Sequence, residues 1–359
     1  MSMIVRAADA AHLLSLVPHL LGYTPTQSLV VIPMARGRSL GAMRVDLPPD
    51  DVDLDPVASS VMGMVCRIPQ ADAVVVVVYT VASTRQGLPE ADLVEALRRS
   101  ADACGLAVTD ALTVAGDGWG SHLSADGVRP MSELDERMPP GDQATGADLP
   151  AASPALVAGV AAATASVEAA LTVLCGIPSV GDSAARIDPA ALEAACALDD
   201  LPALFEDALG WDAAALDPMH AAVLLWCLMR PSLRDVALVQ WSSDRAGGDR
   251  ALDAQRRWED GEDYPADLAE VMWGEGSRPD PARLEQALML VRHVAAVADR
   301  AQTPGPLATA AWLSWALGRS THAGRLADAA LDVDSRHGLA DIVRSFVAAS
   351  HLPDWAFRR

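Results

Sequence analysis

Two residues on one short segment open the chemical reading of this chain. Arg44 and Asp46 stand two apart in RVDLP, so on a strand they share a face, because side chains alternate along it. Ser28 begins the neighbouring apolar run SLVVIPM, and Thr24-Pro25-Thr26-Gln27 forms the loop before it. A guanidinium, a carboxylate and hydroxyls that converge at the end of a sheet form a polar pocket where α/β folds often hold ligands. With Trp119 they make the candidate ligand-binding set: Thr24, Ser28, Arg44, Asp46 and Trp119. The competing reading is structural, with Thr24 and Ser28 capping local turns and Arg44 pairing with Asp46 on the surface. Trp312 and Trp315 are three apart in a helical stretch and are the candidate lining of a peptide-binding groove, with core packing as the alternative.

Other constellations fail on spacing. Gly116-Asp117-Gly118-Trp119-Gly120 begins like a dinucleotide fingerprint, but Ser121 stands where the last glycine belongs and no helix pattern follows, so it reads as a glycine-rich hairpin. Asp51, Asp53 and Asp55 open like a calcium loop, yet Pro56 and Met62 occupy the positions of its glycine and closing glutamate. Gly181-Asp182-Ser183-Ala184-Ala185 falls one residue short of a nucleophile elbow. His12 and His19 are seven apart without a further ligand at spacing, and His337 with Asp341 reads as an ion pair. The expectation is therefore no catalytic residue, no metal ligand and no cofactor.

The elements that must carry these residues alternate in the first third of the chain. Leu13, Leu16, Val17 and Leu20 make an amphipathic helix that Pro18 should kink or shorten and Gly22 should cap. Ser28–Met34 and Leu40–Leu47 read as strands around an Arg36-Gly37-Arg38 turn. A helix over Val52–Cys66 follows, and then Ala73–Tyr79, whose five consecutive valines predict a strand buried on both faces. A helix over Pro89–Cys104 and strands over Leu106–Val114 and Trp119–Leu123 complete an α/β domain.

Residues 124–152 are rich in Pro, Gly, Asp and Ser and read as a linker or long loop. From residue 153 helical stripes dominate, and eight of the nine tryptophans lie there. The domain prediction is thus 1–123 α/β, 124–152 linker and 153–359 all-α. Within the last, Ala311–Pro353 is similar to one tetratricopeptide unit plus the opening helix of the next, without a second copy at fixed period.

Composition narrows the function classes. The formal charge is −21, from 27 arginines and 48 acidic residues, with neither lysine nor asparagine. Lysine Schiff-base chemistry and a phosphate loop of the GxxxxGK[ST] type are excluded. An acidic surface repels phosphate backbones and anionic lipid, so neither nucleic acid nor membrane is an expected partner. The five cysteines, Cys66, Cys104, Cys175, Cys196 and Cys227, have no CxxC spacing and read as buried thiols in a reducing cytoplasm. Arg6 and Asp9 come too early for a signal peptide, and Glu168 interrupts the closest approach to a membrane span, so the expected location is cytoplasmic.

The phrase LLGYTPTQSLVVI followed by RVDLP resembles an actinobacterial family known as domain of unknown function 4192, and RDVALVQ, Pro279-Asp280 and AWLSWALGRS extend the resemblance over nearly the whole chain. The family pattern has cysteines after the tryptophan corresponding to Trp119. Here WGSHLSADGVRP has none, which argues against a metal or redox role for that loop. The resemblance implies two domains and no particular activity. Two functional readings follow. The first is a non-enzymatic interaction or regulatory protein holding an unknown protein partner through its helical domain. The second is an enzyme or small-ligand binder with its site in the cleft between the α/β and helical domains. The charge balance carries one prediction: a gel-shift assay at physiological salt shows no sequence-specific DNA or RNA band at submicromolar protein.

Overall fold

The computed structural model describes residues 9–134, 139, 141–176 and 188–357, and the Gly181–Ala185 motif lies outside them. The chain forms two compact units, Met1–Thr145 and Gly146–Arg359.

The first unit grows from β4 (Ala73–Tyr79). Its valines leave no polar side chain to orient one face toward water, so both faces are covered. β1 (Ser28–Ala35) pairs antiparallel along its whole length, Ser28 opposite Tyr79 and Met34 opposite Ala73. On its other side β5 (Ala107–Val114) runs parallel, Ala73 opposite Ala107 and Tyr79 opposite Val114. The edges are β6 (Trp119–Ser121), antiparallel to β5, and two short pieces that pair with β1, β2 (Arg38–Ser39) and β3 (Met43–Asp46). The second strand expected over 40–47 is shortened to β3, and β2 forms before it where the turn was expected to end; Gly41 lies between them at φ 139, a conformation that glycine adopts without a Cβ clash.

One face of the sheet packs Leu29, Val31, Val74, Val76 and Val78 against α2 (Leu54–Cys66) and α3 (Ala91–Ala103). The other packs Val30, Ile32, Val75 and Val77 against Leu14 and Val17 of α1 (Ala10–Leu21). Pro18 does not end α1. It sits in the last turn, where little helix remains to be disrupted, and Gly22 closes the helix in the left-handed conformation with its N–H on the Pro18 carbonyl.

The second unit is helical: α4 (Pro154–Cys175), α5 (Pro189–Cys196), α6 (Leu201–Ala208), α7 (Pro218–Leu228), α8 (Pro231–Ser242), α9 (Arg245–Glu259), α10 (Ala266–Met272), α11 (Pro281–Val297), α12 (Pro304–Ala316), α13 (Ser320–Leu331) and α14 (Gly338–Ala348). Several begin at an Asp-Pro step. Asp188, Asp217 and Asp280 each accept a backbone N–H of the first turn while the proline sits where no N–H is required. Part of the chain's acidity is therefore helix capping. α12, α13 and α14 form the expected helical hairpin and its third helix around Trp312, Trp315, Ala323, Leu326, Val343 and Phe346. α4 is long and apolar enough to cross a membrane by length and composition alone; its Val160, Ala163, Val167 and Ala170 are buried in the unit's core clusters.

Three helices of this unit are tied by one ionic network. Arg283 on α11 donates from both terminal nitrogens to Glu206 on α6, at 2.6 and 2.9 Å, and Gln240 on α8 donates to the same carboxylate at 3.0 Å. The Arg283 bond holds the Glu206 carboxyl at about 2, below its ordinary 4.5. A carboxyl depressed on folding stabilises above its unfolded value and loses that contribution as pH falls toward its folded value. The urea midpoint of the native chain is therefore expected to drop between pH 4.5 and about 2, and Glu206→Gln to flatten that drop.

Candidate functional site

The register of the sheet places one row of residues at the carboxyl ends of the parallel strands. Asp46 stands opposite Ser28, Ser28 opposite Tyr79, Tyr79 opposite Val114, and Val114 opposite Trp119. Residues paired across a ladder point to the same face, so the row runs over the α1 side of the sheet from edge to edge. Of the five candidate ligand-binding residues, Ser28, Asp46 and Trp119 lie in this row and Arg44 lies two residues along β3 from it.

Arg44 is the buried cation of the set. Its side chain is 4% exposed, its Nε donates to Ser28 Oγ at 2.8 Å, and a terminal nitrogen meets Asp46 Oδ1 at 2.5 Å, while the Asp46 side chain is 80% exposed. The pair is neither a surface bridge nor a buried one: a desolvated cation is anchored by a hydroxyl inside and a carboxylate outside. Tyr23 shares this environment. Burial pushes its phenol above the ordinary value, nearby Arg44 opposes that shift and Asp46 adds to it.

Thr24 does not enter the row. Its hydroxyl donates to the Pro139 carbonyl at 3.1 Å and its N–H to the Gly141 carbonyl at 3.1 Å. Thr26 is held the same way by Gln143, so this loop is pinned to Pro139, Gly141 and Gln143. Gln27 takes a positive φ of 44, which costs a non-glycine residue strain, and its Oε1 accepts the Val81 N–H at 2.8 Å. The strained turn thereby joins the start of β1 to the loop leaving β4, at the same end of the sheet. Across that end Asp117 accepts from Ser83 and from Thr84, which holds its carboxyl at about 2. Glycine is required beside it, since a Cβ on Gly118 would lie 2.7 Å from Val128 Cγ1.

Two donors in the row have no partner. Tyr79, 6% exposed, and Trp119, 1% exposed, bury Oη and Nε1 without a hydrogen bond. Burial alone pushes the Tyr79 phenol well above its ordinary range. The second unit shows how this chain otherwise treats buried indoles. Trp241 donates to the Phe205 carbonyl, Trp312 to Met272, Trp315 to His351 and Trp355 to Ala316, at 2.7–3.1 Å. A buried donor left unbonded costs about 1–3 kcal/mol, so two in one row, with only Val114 between them, are an unusual expense. Arg129 lies over the Trp119 ring, its guanidinium 4.7 Å from the ring centre and its Nε paired with Glu133 at 2.7 Å.

Trp312 and Trp315 correct an expectation. Both are fully buried with their indole N–H groups bonded to carbonyls, so they are core and line no surface groove. Sequence reasoning missed Tyr79, hidden at the end of an apolar strand, along with Tyr23, Gln143 and Arg129. For Tyr79 a signal was present, since a phenol closing a five-valine run has to bury its hydroxyl. Thr113 and His122 meet at 2.9 Å, a hydroxyl–imidazole contact, but Thr113 is fully buried and also reaches the Pro89 carbonyl, so the pair closes the sheet edge. On the opposite face a groove of about 350 Å³ is lined by Asp53, Asp55, Asp92, Glu95 and Arg99, with Arg99 already engaged by Asp55. Among the described residues no three His, Cys, Asp or Glu side chains gather as a metal site.

Fold and site together define a mixed-sheet α/β unit with a polar end, followed by a helical unit. The chain belongs to the family described as Domain of unknown function (DUF4192), whose match spans residues 11–354. No curated protein and no solved structure matches it.

The anchoring of Arg44 can be measured. Asp46→Ala and Ser28→Ala are each expected to cost about 1–2 kcal/mol in urea unfolding, because each removes a partner of a desolvated cation. In the Arg44→Ala background Asp46→Ala should cost less, giving a coupling above about 0.5 kcal/mol, and additive effects would show that the two side chains do not interact.

Proposed function

We propose that the α/β unit binds a small acidic molecule at the carboxyl end of β4 and β5, through acceptor oxygens that receive the Tyr79 hydroxyl and the Trp119 N–H. The observation that carries this reading is the pair of unbonded buried donors in one row. An indole N–H only donates, so the complementary group carries lone pairs, as a carboxylate, phosphate or carbonyl does. Arg44 and Arg129 lie at the same end of the sheet, each paired with a carboxylate, Asp46 and Glu133, with which a charged member of that class would compete. The strained Gln27 turn supports the reading as well, because strain of this kind collects where a site must be held in shape. The site is built from residues of the first unit alone.

The reading as an interaction or regulatory protein rests on a different observation: α4 ends in exposed Val173 and Leu174, 57% and 49% accessible. Cross-linking in a lysate of native cells would favour it if a partner were joined near these residues and lost on Val173→Glu.

Tyr79→Phe tests the ligand reading. It removes an unbonded hydroxyl and keeps the ring, so the ligand-free variant should be as stable as the native chain or more stable by about 1 kcal/mol. In thermal-shift measurements with inorganic phosphate, citrate, glutamate and adenosine monophosphate, at least one should raise the native melting temperature and leave Tyr79→Phe unmoved. Equal shifts in both proteins, no shift with any of the four, or a destabilised Tyr79→Phe would each overturn it.

A further inference from the structure

The expectation of buried thiols fails for four of the five cysteines. Cys66, Cys104, Cys175 and Cys196 are exposed, and only Cys227 is buried, its thiol pushed up to about 12 by burial. Two of the exposed four meet. Cys66 ends α2 and Cys104 follows α3, and the Cys104 side chain is close enough to act on the Cys66 thiol.

The topology explains why they meet. α2 leads into β4 and α3 into β5, and those strands are parallel with Ala73 opposite Ala107. Two helices that each return the chain to the start of neighbouring parallel strands end side by side. The connections are themselves joined, since the Ala107 N–H donates to the Asp72 carbonyl. The two thiols therefore sit on a rigid frame, far apart in sequence and adjacent in space, on the face of the sheet opposite the Tyr79–Trp119 row.

We propose that Cys66 and Cys104 are a site of reversible oxidation, forming an intramolecular disulfide with a peroxide-class oxidant. One thiol, as thiolate, attacks a peroxide oxygen; the O–O bond breaks, an S–O bond forms and one water leaves. The second sulfur then attacks the first, forming the S–S bond and expelling hydroxide, which takes the remaining thiol proton as a second water. Two thiols are oxidised and one peroxide is reduced to two waters. The product links the ends of α2 and α3 and encloses β4. Partial burial and the neighbouring Cys104 hold the Cys66 thiol above its ordinary value, so the pair reacts slowly and responds to sustained oxidant.

The test uses the full native chain. After treatment with excess hydrogen peroxide, free thiols are blocked with N-ethylmaleimide and the protein is digested with trypsin. The expected product is the peptide ending at Arg67 joined to the peptide beginning at Ser100, two hydrogens lighter than the separate peptides and separated by dithiothreitol. Cys175 and Cys196 report general accessibility in the same digest. The oxidised chain should also melt about 5 °C higher, because the cross-link restricts the unfolded chain. Cys104→Ser should abolish the joined peptide. Complete alkylation of both cysteines after peroxide, or separate sulfinic and sulfonic products without a joined peptide, would overturn the proposal.

Discussion

The burial of β4 on both faces is the constraint on which the first unit depends. Five valines in succession supply no solvent-facing side, so the strand is stable only with a strand on each edge and helices on each face. Once its N–H and C=O groups are spent on β1 and β5, register is no longer adjustable, because a slip of one residue would turn every side chain of a neighbouring strand to the wrong layer. Everything at the sheet's carboxyl end inherits this register. Ser28, Tyr79, Val114 and Trp119 share one row because their backbones are paired, not because their side chains attract one another.

A polar row laid over an apolar sheet raises the problem of desolvation, and the chain answers it differently at its two ends. Arg44 is enclosed but satisfied, with Ser28 on the inside and Asp46 on the outside. Tyr79 and Trp119 are enclosed and unsatisfied, although buried indoles elsewhere in the same chain find a carbonyl. The surrounding loops are tied down by polar bonds of their own, Thr24 to Pro139 and Gly141, Thr26 to Gln143, Gln27 to Val81, Asp117 to Ser83 and Thr84. Rigidity of that kind around unbonded donors is what a preorganised acceptor site requires.

The helical unit solves a separate problem with different means. It buries Trp241, Trp312, Trp315 and Trp355, and these act as pins that close apolar contacts and backbone carbonyls at once. Trp315 lies among Trp312, Phe346, His351 and Trp355, so α12 is a central post rather than a surface. The Arg283–Glu206–Gln240 network joins three helices where the apolar core gives way to solvent, and aspartates at helix starts turn a high negative charge to structural use.

Much of this architecture was legible in the sequence by itself. The valine run, the helical stripes, the Asp-Pro starts and the glycine stops are local signals, since periodicity and backbone preference act over a few residues. The Arg44–Asp46 contact was legible for the same reason, two residues on one strand face. What only the tertiary structure decided was every relation between distant segments. Sequence spacing says nothing about which strands become neighbours, so the approach of Tyr79 to Trp119 across Val114, the anchoring of Thr24 by residues 139 and 141, and the meeting of Cys66 with Cys104 could not be read from it. Burial followed the same division: apolar character left Trp312 and Trp315 open to either core or groove and put the cysteines inside, and the packing of helices against one another determined which of those side chains met water.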